Sequence, residues 1–125
     1  MSLDLAAAVA DGVRHFNRGR YVEAHEVWEA LWQEVEEQDR AFLEGLVQLA
    51  TGLHLRTRRG ATAGAEHLLV RALIAFEDYA PARHGVDVAH LIEAFGAYVD
   101  EVRAARRPHR WIDGWRIPRI RRVAC

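Results

Sequence analysis

Apolar residues recur along most of this chain at intervals of three and four, the spacing that places them on one side of an α-helix. Leu5, Val9, Val13 and Phe16 form the first stripe, with Ser2 as its candidate N-cap. The run Asn17-Arg18-Gly19-Arg20 interrupts it, and Gly19 can take the left-handed conformation that closes a helix. A second stripe, Tyr21, Ala24, His25, Trp28, Trp32 and Val35, predicts a helix from about 21 to 36. Asp39 is a candidate cap for a third, running to Arg59 with Gly60 as its stop. A fourth begins at Thr62 and reaches 78 or 79, just before Pro81. It is apolar nearly all round (Leu68, Leu69, Val70, Leu73, Ile74, Phe76), which predicts a central position. Asp87 caps a fifth, whose stripe of Val88, Leu91, Ile92, Phe95, Val99 and Val102 ends before Pro108.

No stretch alternates with period two for long enough to predict a strand. The connections are short, so consecutive helices should pack antiparallel. The expected fold is therefore all-α: a compact bundle of about five antiparallel helices over 1–107, with an irregular Arg/Trp-rich extension over 108–125 packed on it. The local run Gly19-x-Tyr21-x-x-Ala24 is like part of a tetratricopeptide unit, but it does not recur at a fixed period, which argues against a repeat array.

Composition narrows the class. With 125 residues, half of them hydrophobic and 28% charged, the chain has the size of one domain and can bury a real core. A lone cysteine, Cys125, excludes an intrachain disulfide. Glu44, Gln48 and His54 interrupt the most apolar stretch, so no membrane span is expected, and the opening residues lack the basic start of a signal peptide. A cytoplasmic protein is the expectation. The net charge of -1 hides an acidic run between Glu23 and Glu44 and a run of arginines between Arg103 and Arg122. The arginines are interleaved with Trp111 and Trp115. They suit a tail folded back on the acidic second helix, or a nucleic-acid contact made through cations and flat aromatics. No nucleic-acid motif accompanies them, which favours the first reading.

The segment from Glu23 to Trp32 carries the densest chemistry. His25 and Glu29 are four apart and share a face, while Glu26 points roughly 100° away. On the third helix Ala41, Gly45, Gln48 and Gly52 form a stripe of small residues with one amide, suited to receive the bulky Trp28 and Trp32. With the intervening turn centred near Glu37, Glu29 falls level with about Gln48. That predicts a mostly buried His25–Glu29–Gln48 network between the two helices.

These residues resemble a known pattern. The run Phe16-Asn17-x-Gly19-x-Tyr21-x-Glu23-Ala24-His25-Glu26-x-Trp28-Glu29-x-x-Trp32, followed by Phe42-Leu43-x-Gly45-Leu46-Val47-Gln48-Leu49-Ala50 and Leu53-His54, resembles an uncharacterised bacterial and archaeal family known as domain of unknown function 309. The likeness covers about residues 13 to 80. It implies a compact helical bundle in which His25, Glu26, Glu29, Trp32, Gln48 and His54 are the characteristic positions. It implies no activity, cofactor or partner, and the arginine-tryptophan tail lies outside it.

The candidate polar cluster is therefore His25, Glu26, Glu29, Gln48 and His54, lined by Trp28 and Trp32. The reading carried forward is a small helical binding or interaction module in which this cluster is mainly structural and holds no metal. One alternative is a metal-dependent hydrolase centred on His25 and Glu29, since residues at i and i+4 can chelate one ion. That site needs a third ligand, and His54 lies on a different side from Gln48. A second alternative is nucleic-acid binding through the tail. Acid-base catalysis lacks an activated nucleophile, because Ser2 and Cys125 are terminal. No catalytic residue or cofactor is assigned, and a homo-oligomer is left open. The remaining histidines (His15, His67, His84, His90, His109) show no ligand spacing and are expected on the surface.

Overall fold

The computed structural model describes residues 4–59, 63–104 and 117–123. Five helices follow one another: α1 (Leu5–Asn17), α2 (Tyr21–Trp32), α3 (Glu37–Arg59), α4 (Ala63–Phe76) and α5 (Val88–Ala104). They pack into one compact helical body, as the periodicity predicts. Between α4 and α5 the chain makes a 3-10 turn (Glu77–Tyr79) and a hairpin of two short strands, β1 (Ala82–Arg83) and β2 (Val86–Asp87). Ala82 faces Asp87 and Arg83 faces Val86 across it. Strands of two residues are too short to show any alternation, so the expectation of no strand is corrected here.

The helix ends follow local chemistry. Asp4 caps α1, its carboxylate accepting the Ala7 N–H at 3.1 Å, and Ser2, the expected cap, lies outside the described residues. Gly19 closes that helix at a φ of +76°, as its position suggests. Asp87 caps α5 by accepting the His90 N–H at 3.0 Å, again as expected. The second helix stops at Trp32 rather than near 36, and α3 begins at Glu37. Asp39 is therefore inside the first turn of α3 and is not its cap. Its carboxylate serves a different element.

The central helix is α3, not α4. It packs against α2 along one side and α4 along the other. Its stripe of Gly45 and Gly52 faces α4: a Cβ at Gly45 would lie 2.9 Å from the Phe76 ring, and one at Gly52 would lie 3.0 Å from Leu69. This corrects the expectation that the small stripe receives Trp28 and Trp32. Ile74 of α4 is 60% exposed, so that helix is covered on one side only. Trp28 is seated instead over Gly12 of α1, where an added Cβ would meet its indole nitrogen at 2.2 Å. That indole nitrogen donates to the Val9 carbonyl at 3.2 Å, so the buried ring keeps its one polar group satisfied. Phe16 then joins three helices, its ring centroid lying 6.0 Å from Trp28, 5.1 Å from Tyr21 and 5.9 Å from Phe95.

The hairpin is a polar connector. His84 and Gly85 both have positive φ (47° and 80°), the requirement of a tight two-residue turn between twisted strands. Arg83 reaches the Asp39 carboxylate through Nε at 3.0 Å and Nη2 at 2.6 Å, and His84 Nε2 shares the same oxygen at 2.9 Å. The segment 117–123 lies against the other side: the Asp87 N–H donates to the Arg121 carbonyl and the Val123 N–H to the Gly85 carbonyl. Ile117 and Ile120 are buried in the core, and Asn17 holds the Ile120 backbone through both amide atoms, at 3.0 and 2.8 Å. This part of the extension packs in cis. However, among the described residues its ion pair runs from Arg121 to Asp87, not to the acidic face of α2. Trp111 and Trp115, which carried the packing expectation, lie outside the described residues.

Two outcomes follow from this packing. Gly12→Ala should destabilise the protein by about 1–3 kcal/mol in denaturant melts, because overpacking against Trp28 outweighs the better helix propensity of alanine; a more stable variant would contradict the seating of Trp28. The second concerns Asp39. Burial alone would raise its pKa, but hydrogen bonds from His84 and Arg83 and their charges win and hold it below the usual carboxylate range. Its stabilising contribution is therefore fully present above about pH 4 and lost as pH falls through the lowered folded-state value. Asp39→Asn should cost about 1–3 kcal/mol at neutral pH, and the gap to wild type should close on acidification. Melts at several pH values measure both.

Candidate functional site

The residues singled out from the sequence do not converge. His25 Nε2 and Glu29 Oε2 are 3.1 Å apart, so the expected neighbours do meet, but their side chains are 31% and 65% exposed. This is a surface pair and not a buried one. Gln48 points elsewhere: its amide donates to Glu44 at 3.4 Å, and it lies in a shallow cleft of about 260 Å³ with Arg71 and Ile74 of α4. The three-residue network is thus absent from the hydrogen bonds of the described residues. The first cause is the face: the stripe that carries Gln48 is turned to α4, away from α2. Register adds to it, because α2 ends at Trp32, the turn centres between residues 34 and 35, and Glu29 falls level with about Arg40. The Arg40 guanidinium lies 5.2 Å over the Trp32 ring, which fits that register. Glu26 is exposed, and His54 is half-buried, its carbonyl accepting from Thr57. Trp28 belongs to the core, while Trp32 is 37% exposed. Among the described residues no three His, Cys, Asp or Glu side chains group around one cation position.

A larger concavity is on another side. A groove of about 1090 Å³ opens between the α1–α2 turn, α5 and the segment 117–121. The turn at Gly19 brings Arg18 and Tyr21 to one wall. Thr57 comes from α3 and His90 and Ala94 from α5, while Arg119 and Arg121 come from the C-terminal segment. Asn17 fixes this last wall through its two bonds to Ile120. No carboxylate lines the groove among the described residues, although the chain as a whole carries one more acidic than basic residue. Arg121 is paired with Asp87, whereas Arg18 and Arg119 are exposed and have no ion-pair partner among the described residues. The Nδ1 atom of His90 is buried without a hydrogen-bond partner among the described residues.

Behind the groove lies a second polar feature. Tyr21 has its pKa pushed up to about 12, first by burial and then by neighbouring Tyr98. Tyr98 is also raised by burial, against the opposing charge and hydrogen bond of Arg56. Both hydroxyls therefore stay protonated at neutral pH and can act as donors. Arg56 Nε donates to the Tyr98 hydroxyl at 3.1 Å.

Sequence reasoning missed this site because its residues come from four separate segments. Asn17, Gly19 and Tyr21 were read as turn and core, and His90 as a surface histidine. The arginines of 117–121 were seen only as a charge run. His84, also read as a surface residue, is instead bound to Asp39; the weak signal for it was the His84-Gly85 pair after Pro81, a turn composition. Because the His25–Glu29 pair is exposed, His25→Ala should change stability by less than about 1 kcal/mol in thermal or denaturant melts. A larger loss would restore the structural role expected from the sequence.

The helical hairpin of α2 and α3, the α1–α2 turn and Thr57 all lie in the part of the chain for which a comparison succeeds. Residues 9–68 match the family model described as Domain of unknown function (DUF309). No curated protein matches the sequence. His90, Ala94 and the wall from Ile117 to Arg121 lie beyond the matched stretch. Over this segment, somewhat less than half of its length, the chain is similar to the DUF309 family.

Proposed function

We propose that this chain is a cytoplasmic ligand-binding module, and that it takes a small anionic molecule in the groove between the α1–α2 turn, α5 and the C-terminal segment. The observation that carries the reading is the charge of the wall: Arg18, Arg119 and Arg121 without a single carboxylate among the described lining residues. A concave site lined by one sign of charge focuses its potential and concentrates ions of the other sign. Tyr21 and Thr57 add neutral hydroxyls beside the cations. The volume exceeds that of a bare inorganic ion and suits a ligand with an organic body.

In this reading His25 and Glu29 are a surface pair on α2 rather than a reactive centre, and Gln48 serves the α3–α4 side. The metal-dependent hydrolase reading has no third ligand beside the pair among the described residues. Nucleic-acid binding would draw on the same arginines, and the test separates it. Calorimetric titration with phenyl phosphate, benzyl alcohol and mixed-sequence RNA measures the preference. Binding of phenyl phosphate over benzyl alcohol is expected, and Arg18→Ala combined with Arg119→Ala should weaken it about tenfold or more, equivalent to at least about 1.4 kcal/mol. Arg58→Ala, an exposed cation of α3 outside the groove, should leave it unchanged. Equal binding by the double variant, or a response to RNA alone, would overturn the proposal.

A further inference from the structure

We propose that His90 is a hydrogen-bond donor of the groove, presenting its Nε2–H to an oxygen of a bound oxyanion, phosphate or carboxylate. The inference rests on the reading of the groove as an anion site, and it names the side chain that gives the contact a direction.

His90 lines the groove as the third residue of α5. Its two ring nitrogens stand in different surroundings. Nδ1 is buried and meets no hydrogen-bond partner among the described residues. Nε2 has no partner among them either, but it is not buried, so it is the nitrogen open to solvent and to a ligand. The Asp87 carboxylate, three residues back, does not serve the ring. Its Oδ1 accepts the backbone N–H of His90 and its Oδ2 the Nε–H of Arg121, both at 3.0 Å. His25 and His84, by contrast, each meet a carboxylate, Glu29 and Asp39.

This asymmetry fixes the tautomer. A neutral imidazole carries one hydrogen, on either nitrogen. On Nδ1 it would be a buried N–H without an acceptor, a rarer situation than an unfilled lone pair. The hydrogen therefore sits on Nε2, and the ring offers the groove a donor. A buried nitrogen without a partner is still unfavourable, and a leucine would fill the space at less cost. What the imidazole adds over leucine is the Nε2–H.

The other neutral side chains of the groove have less to give. Asn17 is committed to the Ile120 backbone through both amide atoms, and Thr57 gives its hydroxyl hydrogen to the Leu53 carbonyl at 2.9 Å. Arg18 and Arg119 are exposed, so they attract an anion without fixing its orientation. A half-buried ring on a helix is better placed to do so. An oxyanion has lone pairs enough to divide between these arginines and this donor.

The full chain is titrated with phenyl phosphate and with benzoate, with sodium chloride at matched ionic strength as the blank. Long-range proton–nitrogen NMR of the histidine rings, with His90 identified by the signal lost in His90→Gln, should show the hydrogen on Nε2. That nitrogen should shift saturably as the anion binds. Calorimetric affinity should fall about tenfold or more in His90→Leu and in His90→Asn, whose amide reaches only as far as Nδ1. His90→Gln, whose amide nitrogen reaches about as far as Nε2, should bind close to wild type. Without ligand, His90→Leu should melt at or above the wild-type temperature, because it gives up no side-chain hydrogen bond and removes a buried polar atom. A stronger response to phenyl phosphate assigns a phosphoryl head and a stronger response to benzoate a carboxylate; either supports the donor. If His90→Leu binds as wild type does while the Arg18→Ala, Arg119→Ala double variant does not, the donor is overturned and the groove reading stands. If His90→Leu fails to fold, an unmoved His90 Nε2 signal at saturating anion overturns the donor instead, as does a hydrogen found on Nδ1. No response of the wild type to either anion overturns the groove reading itself.

Discussion

The arrangement of this protein depends on α3 being covered along both sides. A helix of 23 residues carrying Phe42, Leu43, Leu46, Leu49, Ala50 and Leu53 fully buried cannot be satisfied by one neighbour. Its two sides solve the problem differently. Towards α4 it presents glycines, so that Phe76 and Leu69 approach its backbone more closely than an added Cβ would allow without a shift. Towards α2 it presents larger apolar side chains, and the bulky residue of α2, Trp28, is directed to α1 instead. Gly12 receives that ring. Both close approaches rely on an absent Cβ inside a helix, where the propensity cost is offset by contact between elements.

Polar pairs complete what the apolar core begins. The hairpin between α4 and α5 has almost no sheet of its own, and it is held by Asp39 from one side and by the segment 117–123 from the other. Asn17, at the end of α1, fixes the same segment through the Ile120 backbone. Asp87 caps α5 and binds Arg121, so one carboxylate serves a helix start and the C-terminal wall together. Its pKa is lowered chiefly by the His90 N–H; burial opposes this, and the hydrogen bond and charge of Arg121 add to the lowering. The start of α3, the hairpin, the start of α5 and the groove wall are thus linked by a short series of charge-assisted bonds.

The groove inherits its charge from this construction. Its wall from 117 to 121 comes from an arginine-rich run, while the acidic residues of α2 stay on other surfaces. A chain with nearly balanced charge thereby acquires a concave region of one sign.

How much of this could be read from the residues depends on how local each determinant is. The five helices, the Gly19 closure and the Asp87 cap were legible, because periodicity, a left-handed glycine and a capping side chain act within a few residues. The contact of His25 with Glu29 was legible for the same reason, since i and i+4 are neighbours on any helix. The partners of α3 were not. A turn centre displaced by two to three residues moves the level partner of Glu29 by about five positions, to about Arg40, and only packing fixes that displacement. A stripe of small residues says that something comes close, but not which helix does. The clamp on Asp39 and the groove wall join residues 44 to 103 positions apart. The sequence alone determined what each segment could be and which side of each helix must be buried. The tertiary structure decided which buried sides meet and which arginines find carboxylates, because those outcomes depend on the relative placement of whole elements, which no local pattern encodes.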